Sequence, residues 1–548
     1  MNLLKRIYAL LLPDERKKGL YIAGSVFLSA LLDFVGLAVL LPVLYYLLEG
    51  TKKDEAAFFF CILAAAVIIT KCILTTLFIR YQNKSLMAFY KRLSHSLFSS
   101  FYRRGLLFIR EQGSNKLGYA INSMCYAFSH SLLSPFFRMS GDIMLILLVT
   151  IALLIWNGKS VMLLYASFIP FMCIYIMLIK RRVRKYGEND MNEKQKQARI
   201  VMDTFRGFAE LEVNGAFPTL QAAFLKGMDK ISYNRTKLDT LMRLPMFLTE
   251  LSVVIGLGLL ILFGEGDVKM LVGVFAVASF RLLPALRNIL TAWTQIQNSQ
   301  CCLDAIEEGM KDYEPNETLQ QEEITFDHEI RIEDLTYTYP DGSTILEKFN
   351  CNIRKGEYIG FKGISGAGKS TLFNILIGLL RPTSGKITID GTTLSEERNS
   401  SWMKQIGYIP QEVFIFNGTL AENIAIGNKN IDPDRINKIL HQVSLDKWVK
   451  ELPDGINTQM SESGSKLSGG QKQRIGIARS LYKQASILML DEATSALDNE
   501  TEKEINNTLE RMKKEYPGLT ILSIAHRNSS LEYCDRIITI ENRYEKDI

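Results

Sequence analysis

The sequence predicts an α-helical transmembrane domain of six spans followed by an α/β domain. Long apolar runs fill roughly the first 300 residues, whereas the remainder alternates short β-like apolar stretches with helical patterns. The composition agrees with this division, because 47% of the 548 residues are hydrophobic and only 22% are charged. The chain is therefore too long for one compact domain and too apolar for a disordered one.

Six apolar runs approach or exceed the roughly 20 residues that cross a bilayer core as a helix. They cover residues 20–48, 56–79, 139–156, 160–179, 244–263 and 270 to about 293. Buried helices of a soluble core are the alternative, but soluble helices seldom stay apolar on all sides over this length. We therefore expect a membrane-embedded, multi-pass protein.

The basic residues predict the orientation of these spans through the positive-inside bias. Nearly all Lys and Arg of this half lie in the N-terminal segment and in loops 80–116 and 180–243, which we place in the cytoplasm together with both termini. The alternate connections, 49–55, 157–159 and 264–269, are short. Apolar positions continue into the two long loops, so we expect helices that extend beyond the bilayer and turn at 113–120 and 216–223.

Charge and cysteine content exclude other classes of protein. The formal charge of +6 comes from 64 basic and 58 acidic residues without dense basic blocks, so no nucleic-acid partner is expected. The eight cysteines are scattered, with Cys301 and Cys302 the adjacent pair, and they have no metal-ligand spacing. We interpret them as reduced packing residues. No signal-peptide pattern begins the chain, so we expect its N-terminus to be retained.

The domain organisation follows from a change of character after Cys302. Residues 304–323 are polar and acidic, which indicates a linker or a last extended helical turn. We predict a transmembrane domain at 1–303, a linker at 304–325 and a soluble domain at 326–548. The soluble part alternates helical patterns with predicted strands at 330–339, 358–362, 387–390, 406–410, 487–490, 520–524 and 536–540.

The loop after the second of these strands has the G-x-x-x-x-G-K-S pattern of a phosphate-binding loop. Its glycines let backbone N–H groups close around phosphate, and the helix that begins near Lys369 points its positive end at the same place. Lys369 supplies a cation and Ser370 a Mg²⁺ ligand. The predicted nucleotide contacts are Gly363, Ser365, Gly366, Ala367, Gly368, Lys369, Ser370 and Thr371.

A second acidic element closes the apolar strand at 487–490. Asp491 and Glu492 stand at its end, where an Mg²⁺-ordering carboxylate and a water-polarising carboxylate are expected beside a phosphate loop. The alternative is that these acidic residues only cap a strand before a helix. Between the two elements lies Leu467-Ser468-Gly469-Gly470-Gln471, which precedes a helical pattern at 472–481 and would offer a second helix N-terminus for phosphate.

This last segment resembles the signature sequence of ATP-binding cassette (ABC) transporters. The other elements of that family's cassette occur in the same order, and its six-helix membrane domain matches the six spans. The resemblance implies a fold of six transmembrane helices followed by an α/β P-loop ATP-binding cassette, with ATP and Mg²⁺ as ligands. It assigns adenine stacking to Tyr339, the Q-loop to Gln411, the acidic loop to Glu462, the D-loop to Ser495 through Asp498 and the switch histidine to His526.

The same resemblance implies the catalytic roles and a dimer. Glu492, His526 and Gln411 act in catalysis, and Ser370, Gln411 and Asp491 hold the metal. Each ATP lies between one chain's phosphate loop and the Ser468, Gly469, Gly470 and Gln471 of another, with Asp498 nearby. Because one cassette is present, a homodimer is the simpler partner choice. Alternatively, Tyr339 packs on a strand, Gln411 is a turn residue and His526 is a surface histidine.

Charges within the spans are the local indication of cargo, because unpaired charge at membrane depth tends to face a cavity. Asp33, Arg281 and Arg287 are the predicted substrate contacts, and the two arginines suit an anionic head group such as pyrophosphate. The alternative is mutual pairing, such as Asp33 with Lys71 or Glu250 with Arg281. The other charges within or beside the spans are Arg138 and Asp142.

The stretch from Phe280 through Pro284 to Arg287, together with Asp33-Phe34 and Pro42, resembles bacterial lipid-linked oligosaccharide flippases of this family. That resemblance implies ATP-driven export or flipping of an amphipathic, lipid-linked substrate across the cytoplasmic membrane of a bacterium. A peptide or general lipid exporter is the alternative cargo assignment. A membrane-anchored regulatory ATPase without transport is the alternative class, although it needs fewer spans.

Overall fold

The computed structural model describes residues 3–39, 55–156, 158–263, 268–311, 322–460, 467–494, 497–525 and 527–540. The chain divides into two compact units, Met1–Pro315 and Asn316–Ile548. Several predictions fall outside the described residues, namely those for Pro42, Glu462, Ser495 and His526 and most of the short connections predicted at 49–55 and 264–269.

The first unit is helical throughout its described residues. Its α-helices are α1 Leu3–Leu10, α2 Pro13–Ala38, α3 Glu55–Arg103, α4 Gly105–Gln112, α5 Ser114–Tyr119, α6 Cys125–Ala127, α7 Ser134–Trp156, α8 Gly158–Arg206, α9 Phe208–Val213, α10 Phe217–Phe263, α11 Val268–Asn298 and α12 Gln300–Met310. Two π-helical stretches, Ala120–Met124 and Phe128–Leu133, join α5 to α6 and α6 to α7.

Four helical stretches in the described residues are long and apolar enough to cross a bilayer: Pro13–Ala38, Phe58–Arg103, Ser114–Ile155 and Phe217–Phe263. They overlap the first, second, third and fifth predicted spans, and residues 40–48 of the first span lie outside the described residues. The fourth lies in α8, where Tyr165–Met177 is a shorter apolar segment. The sixth lies in α11, where the side chains of residues 270–278 are outside the described set.

The predicted extension of helices beyond the bilayer is confirmed by their length. Helices α3, α8 and α10 have 49, 49 and 47 residues, so each is about 70 Å long, more than twice the bilayer core. The chain bends at Gly113, with φ of 76°, between α4 and α5. It turns again around Gly215, with φ of 60°, before α10 begins at Phe217. Both predicted turn regions therefore contain or adjoin an observed break.

Helix α12 shows that the acidic segment after Cys302 continues the helical domain through Met310. Leu303 and Ile306 are fully buried in one cluster with Leu93 and Leu97 of α3. Ser100 Oγ donates a 2.7 Å hydrogen bond to the carbonyl of Gly309. Residues 304–310 of the predicted linker are thus helical, as in the second of the two alternatives, and residues 312–321 lie outside the described residues.

The second unit carries the predicted α/β pattern. Its strands are β1 Glu329–Thr338, β2 Thr344–Arg354, β3 Tyr358–Lys362, β4 Ser384–Ile389, β5 Thr392–Thr393, β6 Ile406–Ile409, β7 Gly418–Thr419, β8 Gln459–Met460, β9 Ile487–Asp491, β10 Thr520–Ile524 and β11 Arg536–Thr539. Its α-helices are α13 Lys369–Ile377, α14 Glu396–Lys404, α15 Leu420–Ile424, α16 Pro433–Gln442, α17 Asp446–Glu451, α18 Gly469–Lys483, α19 Asn499–Glu515 and α20 Asn528–Leu531, and residues Gly455–Asn457 form a 3₁₀ turn.

A parallel five-stranded sheet in the order β11-β3-β10-β9-β6 forms the centre of this unit. Strands β9 and β10 are buried at every position, as expected for strands covered on both faces. Because all five strands are parallel, the loops after β3, β6, β9 and β10 leave the same edge of the sheet. A separate antiparallel sheet has the order β2-β1-β4-β5, and β7 pairs with β8.

Candidate functional site

The loop between β3 and α13 is shaped by glycines. Gly366 and Gly368 have φ of 83° and 91°, in the left-handed region that favours glycine. A Cβ at Gly368 would lie 2.6 Å from Ile345 Cγ2, and one at Gly363 would lie 2.7 Å from the carbonyl oxygen of Ile540. A Cβ at Gly366 would meet nothing within 4 Å, so this loop position borders open space. Chain curvature and an open concave side are the properties an anion-binding loop requires.

Lys369 is the first residue of α13 and lies folded back under the loop. Its side chain is 4% exposed, and Nζ donates to the carbonyl oxygens of Gly363 at 2.9 Å and Ile364 at 2.8 Å. Burial lowers the pKa of Lys369, and the nearby negative charges of Glu492 and Asp491 oppose this shift. The lysine therefore brings a positive charge into a partly dry site, where it interacts strongly with anions.

Ser370, the next residue, links the loop to the end of β9. Its Oγ donates a 2.9 Å hydrogen bond to Asp491 Oδ1, and Tyr408 Oη of β6 donates to Asp491 Oδ2 at 3.2 Å. Burial raises the pKa of Asp491, while these two hydrogen bonds act in the opposite direction. Two elements 121 residues apart in sequence thus meet at one carboxylate.

Glu492 follows Asp491 in an unusual backbone conformation. Its φ is 53°, in the left-handed region, which costs a residue with a Cβ about 1–3 kcal/mol. The backbone N–H of Glu492 donates a 3.2 Å hydrogen bond to the carbonyl of Ile524, the last residue of β10. This bond fixes the start of the Glu492 loop against the strand that precedes residue 526.

Tyr339 follows β1 and lies on the side of α13. Its hydroxyl is 3.2 Å from Oγ1 of Thr371, and its ring makes an edge-on contact with Tyr337 at 5.0 Å between centroids. The ring is only partly buried, which leaves a face for further contact. Gln411 follows β6 with an exposed side chain, and its carbonyl accepts a 2.9 Å hydrogen bond from Nε2 of buried Gln473.

The signature segment forms the N-terminus of α18, three residues earlier than the predicted helix start. Ser468 Oγ accepts from the backbone N–H of Gln471 at 3.2 Å, and the Ser468 N–H donates to Gln471 Oε1 at 2.9 Å. This capping box explains the early start. Gly470 packs against α19, since a Cβ there would lie 2.5 Å from Thr501 Cγ2. Ser468 and Gly469 are exposed, so the first turn of α18 faces outward in the single chain.

Asp498 caps α19, with Oδ2 accepting from the Thr501 N–H at 3.0 Å and Oδ1 accepting from Thr501 Oγ1 at 2.7 Å. Further along α19, Glu502 is 3% exposed and accepts hydrogen bonds from Ser530, Ser529 and Arg527 at 2.5–2.9 Å. Arg527 Nη1 also donates to the carbonyl of Leu497 at 3.1 Å. This cluster joins the segment that follows residues 495–496 to the segment that follows residue 526.

The predicted substrate residues occupy different environments in the membrane unit. Asp33 of α2 makes a 2.6 Å ion pair with Lys71 of α3 and a second ion pair with Arg281 of α11. The alternative of mutual pairing is confirmed for Asp33 and Lys71, whereas Arg281 pairs with Asp33 rather than with Glu250. Arg287, six residues further along α11, is exposed. One carboxylate thus joins three helices and faces two cations.

Several contacts of the site were missed by sequence reasoning. Tyr408 reads as an ordinary strand residue, Gln473 as a polar helix residue and Arg527 as a charge beside the predicted histidine. Their partners are between 25 and 83 residues away in sequence, and no local pattern marks such pairs. The sequence offered one signal for Tyr408. Side chains alternate between the two faces of a strand, so the pattern of β6, next to the predicted Gln411, shows which of its side chains share a face with those of β9.

These residues fit Mg²⁺ and a nucleoside triphosphate. The open concave side of the Gly366 loop, the buried lysine and the free first turn of α13 suit phosphate, and the Ser370 hydroxyl and Asp491 carboxylate are oxygen donors of the type that Mg²⁺ prefers. Tyr339, beside the same helix, offers a ring for a base.

Comparison with known proteins agrees with this reading. Residues 346–495 match the family model described as ABC transporter. A protein of Ralstonia nicotianae named ATP-dependent lipid A-core flippase is 43% identical over 218 residues, which is 39% of this chain and 36% of that protein. A protein of the same name from Francisella tularensis subsp. holarctica is 30% identical over 385 residues, or 68% of this chain and 62% of that protein. The matches thus span less than two thirds of the length of these relatives.

A solved structure described as a bacterial Atm1-family ABC exporter with ATP bound superimposes with a TM-score of 0.78. The superposition covers 95% of this chain and 94% of the other, at 20% sequence identity. This likeness shows the exporter fold, a helical membrane-type unit followed along the chain by an α/β unit.

Proposed function

We propose that this chain, which carries an ABC transporter ATP-binding domain behind an exporter-type helical domain, is one half of an ATP-driven exporter or flippase. The observation that carries the proposal is the 2.9 Å contact of Ser370 with Asp491. It brings the phosphate loop and the two carboxylates together in a chain that also has long apolar helices.

Each predicted residue has a proposed role at the nucleotide. Residues 363–371 hold the phosphates through backbone N–H groups, and Lys369 neutralises their charge. Ser370, Asp491 and Gln411 are proposed to hold Mg²⁺, which when bound supplies charge neutralisation to the phosphates. Tyr339 stacks on the base. Glu492 accepts the proton of the attacking water, and His526 contacts the phosphate end.

The position of Glu492 supports its role as general base. It follows the strand that ends at Asp491, so it lies beside the proposed metal site, and its backbone is anchored to Ile524. The left-handed φ turns its side chain away from the direction that a continued strand would give. A strained conformation maintained next to a buried charge is characteristic of functional positions.

A homodimer completes each site in this proposal. Ser468 and Gly469 expose the N-terminus of α18 in the single chain, and its free N–H groups together with the helix dipole favour a phosphate from a second copy. Gln471 and Asp498 are bound in the caps of α18 and α19, so we assign them the role of fixing these two N-termini at the shared nucleotide.

A lipid-linked oligosaccharide is the proposed cargo. The names of the bacterial relatives refer to lipid flipping, and Lys71 and Arg281 place two cations around Asp33 at membrane depth, groups that can pair with an anionic head group. Arg281 and Arg287 are proposed as contacts, with Arg281 released from Asp33 when the head group binds. A general lipid or peptide exporter is the alternative cargo assignment. A regulatory ATPase without transport is the alternative class, and stimulation of ATP turnover by cargo distinguishes an exporter from it.

The proposed location is the cytoplasmic membrane of a bacterium, as a multi-pass protein with both termini in the cytoplasm. Support comes from the basic residues of the N-terminal segment and of segments 80–116 and 180–243, and from the bacterial origin of the similar proteins.

ATP turnover of purified full-length protein tests the nucleotide part. Glu492→Gln is expected to reduce turnover about 100-fold or more with ATP affinity retained, because only proton transfer is removed. Lys369→Ala is expected to weaken ATP binding itself. Glu500→Gln, an exposed glutamate in the first turn of α19, is the matched control. Wild-type turnover in Glu492→Gln would contradict the assignment.

A further inference from the structure

A cavity of about 450 Å³ lies between α1, the start of α2, α3 and the start of α7. Its inner wall is apolar and is formed by Ile7, Ile22, Leu86, Leu133, Phe136 and Phe137. This volume is within the range of small-molecule sites, and an apolar wall with few polar groups is their usual composition. None of the roles proposed above for ATP or cargo uses it.

The rim of this cavity carries charge of mostly one sign. Arg92 and Glu15 form a complete ion pair, with Arg92 Nε 2.9 Å from Glu15 Oε1, and Arg92 also donates to the carbonyl of Leu10 at 2.9 Å. Arg16 lies over the Tyr8 ring, with Cζ 4.1 Å from the centroid, and Lys18 is exposed. The charges of Glu15 and Arg92 cancel, so among the described residues of the rim Arg16 and Lys18 supply two further positive charges.

The change from charge to apolar surface occurs within two helical turns of α2. Arg16 and Lys18 line the rim, whereas Gly19 and Ile22 line the deeper part, so the cavity passes from charged to apolar over about 9 Å. The apolar span predicted from residue 20 begins at this level, and the basic residues before it mark the cytoplasmic surface. In the orientation proposed above, on which this inference rests, the cavity opening lies where lipid phosphates meet acyl chains.

Helix α1 forms one wall of this site and is fixed by ion pairs. Arg6 Nη2 lies 2.6 Å from Glu307 Oε2 and 2.5 Å from Asp304 Oδ1 of α12. Ile7 is buried against the helices, whereas Tyr8 is 56% exposed beside the basic rim. An exposed aromatic ring next to cations is typical of a membrane interface.

We propose that this cavity binds an anionic phospholipid of the cytoplasmic leaflet. Arg16 and Lys18 bind its phosphate, and one acyl chain lies against Ile22, Leu133 and Phe136. Charge complementarity selects the occupant, because two uncompensated cations favour a lipid with net negative charge over a zwitterionic one. The apolar wall distinguishes a lipid from free phosphate, which would leave it uncovered. The proposal does not depend on the cargo or on ATP turnover.

Native mass spectrometry of the full-length protein, titrated with phosphatidylglycerol or phosphatidylcholine, tests the site. Arg16→Gln with Lys18→Gln is expected to weaken phosphatidylglycerol binding about 10- to 30-fold, since each interfacial cation changes affinity about fivefold. Lys17→Gln is the control for the loss of a single nearby charge, because Lys17 belongs to the same basic run but does not line the cavity. It should change affinity less than about twofold.

A second pair of variants tests the acyl-chain part. A Cβ at Gly19 or at Gly24 meets no atom within 4 Å, and of the two only Gly19 lines the cavity. Gly19→Leu should therefore reduce phosphatidylglycerol binding by filling the cavity, whereas Gly24→Leu should not. Equal affinity for the two lipids, or equal loss in Lys17→Gln, would overturn the proposal in favour of diffuse surface attraction. If inorganic phosphate competed with phosphatidylglycerol and Gly19→Leu had no effect on lipid binding, the site would be a phosphate site and the proposal would be overturned.

Discussion

At the residue scale, the backbone of Glu492 combines conformational strain with a proposed chemical role. Its φ of 53° places a residue with a Cβ where glycine is favoured. The strain is retained next to Asp491, which two hydrogen bonds hold in a buried position. Backbone strain at this position and the proposed role of the side chain can be separated experimentally.

Replacing Glu492 by Gly is expected to give a more stable protein than replacing it by Ala. Both variants lack the carboxylate, so the difference between their free energies of unfolding reports the cost of the left-handed backbone conformation. We expect a difference of about 1 kcal/mol, which corresponds to about 2–4 °C in thermal midpoint for a unit of this size. The same comparison at Glu500, in the first turn of α19, should give the reverse order, since Ala is favoured in a helix. Equal midpoints for the two Glu492 variants would contradict the strain.

Glu502 should make the free energy of unfolding depend on pH in the acidic range. Burial alone would raise the pKa of Glu502, but hydrogen bonds from Ser530, Arg527 and Ser529 hold it below its usual range. The stabilisation is therefore complete above the unfolded pKa of about 4.3 and is lost as pH falls through the lower folded pKa. We expect Glu502→Gln to lower the thermal midpoint at pH 7 and to flatten its decline between pH 5 and 3.5. An unchanged slope, equal to that of Glu500→Gln, would contradict this.

The sequence predicted those parts of the candidate site whose functional residues lie together in one short segment. The phosphate loop and the Asp491-Glu492 pair each follow a buried strand, so parallel-sheet geometry brings them to one edge. Tyr408 and the cluster of Arg527 with Glu502 were not predictable, because they are contacts between elements that only the folded order of strands and helices creates.

At the element scale, strand prediction succeeded where burial is continuous. Strands β3, β9 and β10 are buried at every position except Lys362, and their predicted bounds agree with the structure to within one residue. Strand β2 was missed because it lies at the edge of an antiparallel sheet and exposes polar side chains along its length, so its 11 residues contain no apolar run.

The contact of α18 with α19 should tolerate no side chain at Gly470. A Cβ there would lie 2.5 Å from Thr501 Cγ2, so Gly470→Ala is expected to cost about 1–3 kcal/mol of stability. Thr501→Ser removes that methyl group and keeps the hydroxyl that donates to Asp498, so the double variant should recover most of the loss in thermal midpoint.

Gly469→Ala is the control for this pair, because its Cβ would meet only Leu497 Cδ2, at 3.0 Å, the end of a flexible side chain. It should lower the midpoint less than Gly470→Ala does. Additive effects of Gly470→Ala and Thr501→Ser, with no rescue, would contradict the packing described here.

At the scale of the whole molecule, the proposed dimer makes each nucleotide site from two chains. Lys369→Ala removes the phosphate-loop cation, and Gly469→Asp places a negative charge where the γ-phosphate should meet α18, at a helix position that accepts acidic residues. A mixed dimer with one change in each chain should keep one intact site and substantial ATP turnover. A dimer that pairs a doubly changed chain with an unchanged chain should have none.

Mixed dimers isolated with two different affinity tags and assayed for ATP hydrolysis distinguish the two arrangements. Sites formed within single chains predict the opposite order of activities, because the unchanged chain would then retain a complete site. That order would contradict the shared-site dimer while leaving the roles of Lys369 and Asp491 in place.

The most direct measurement of the central claim is ATP-dependent movement of a labelled lipid-pyrophosphate oligosaccharide in proteoliposomes, with wild type and Glu492→Gln side by side. Movement by the wild type alone, at a rate that follows ATP turnover, is the predicted result. Wild-type hydrolysis without movement of this lipid or of simpler labelled phospholipids would contradict the flippase assignment. Movement by both proteins at equal rates would contradict the coupling of transport to hydrolysis at Glu492.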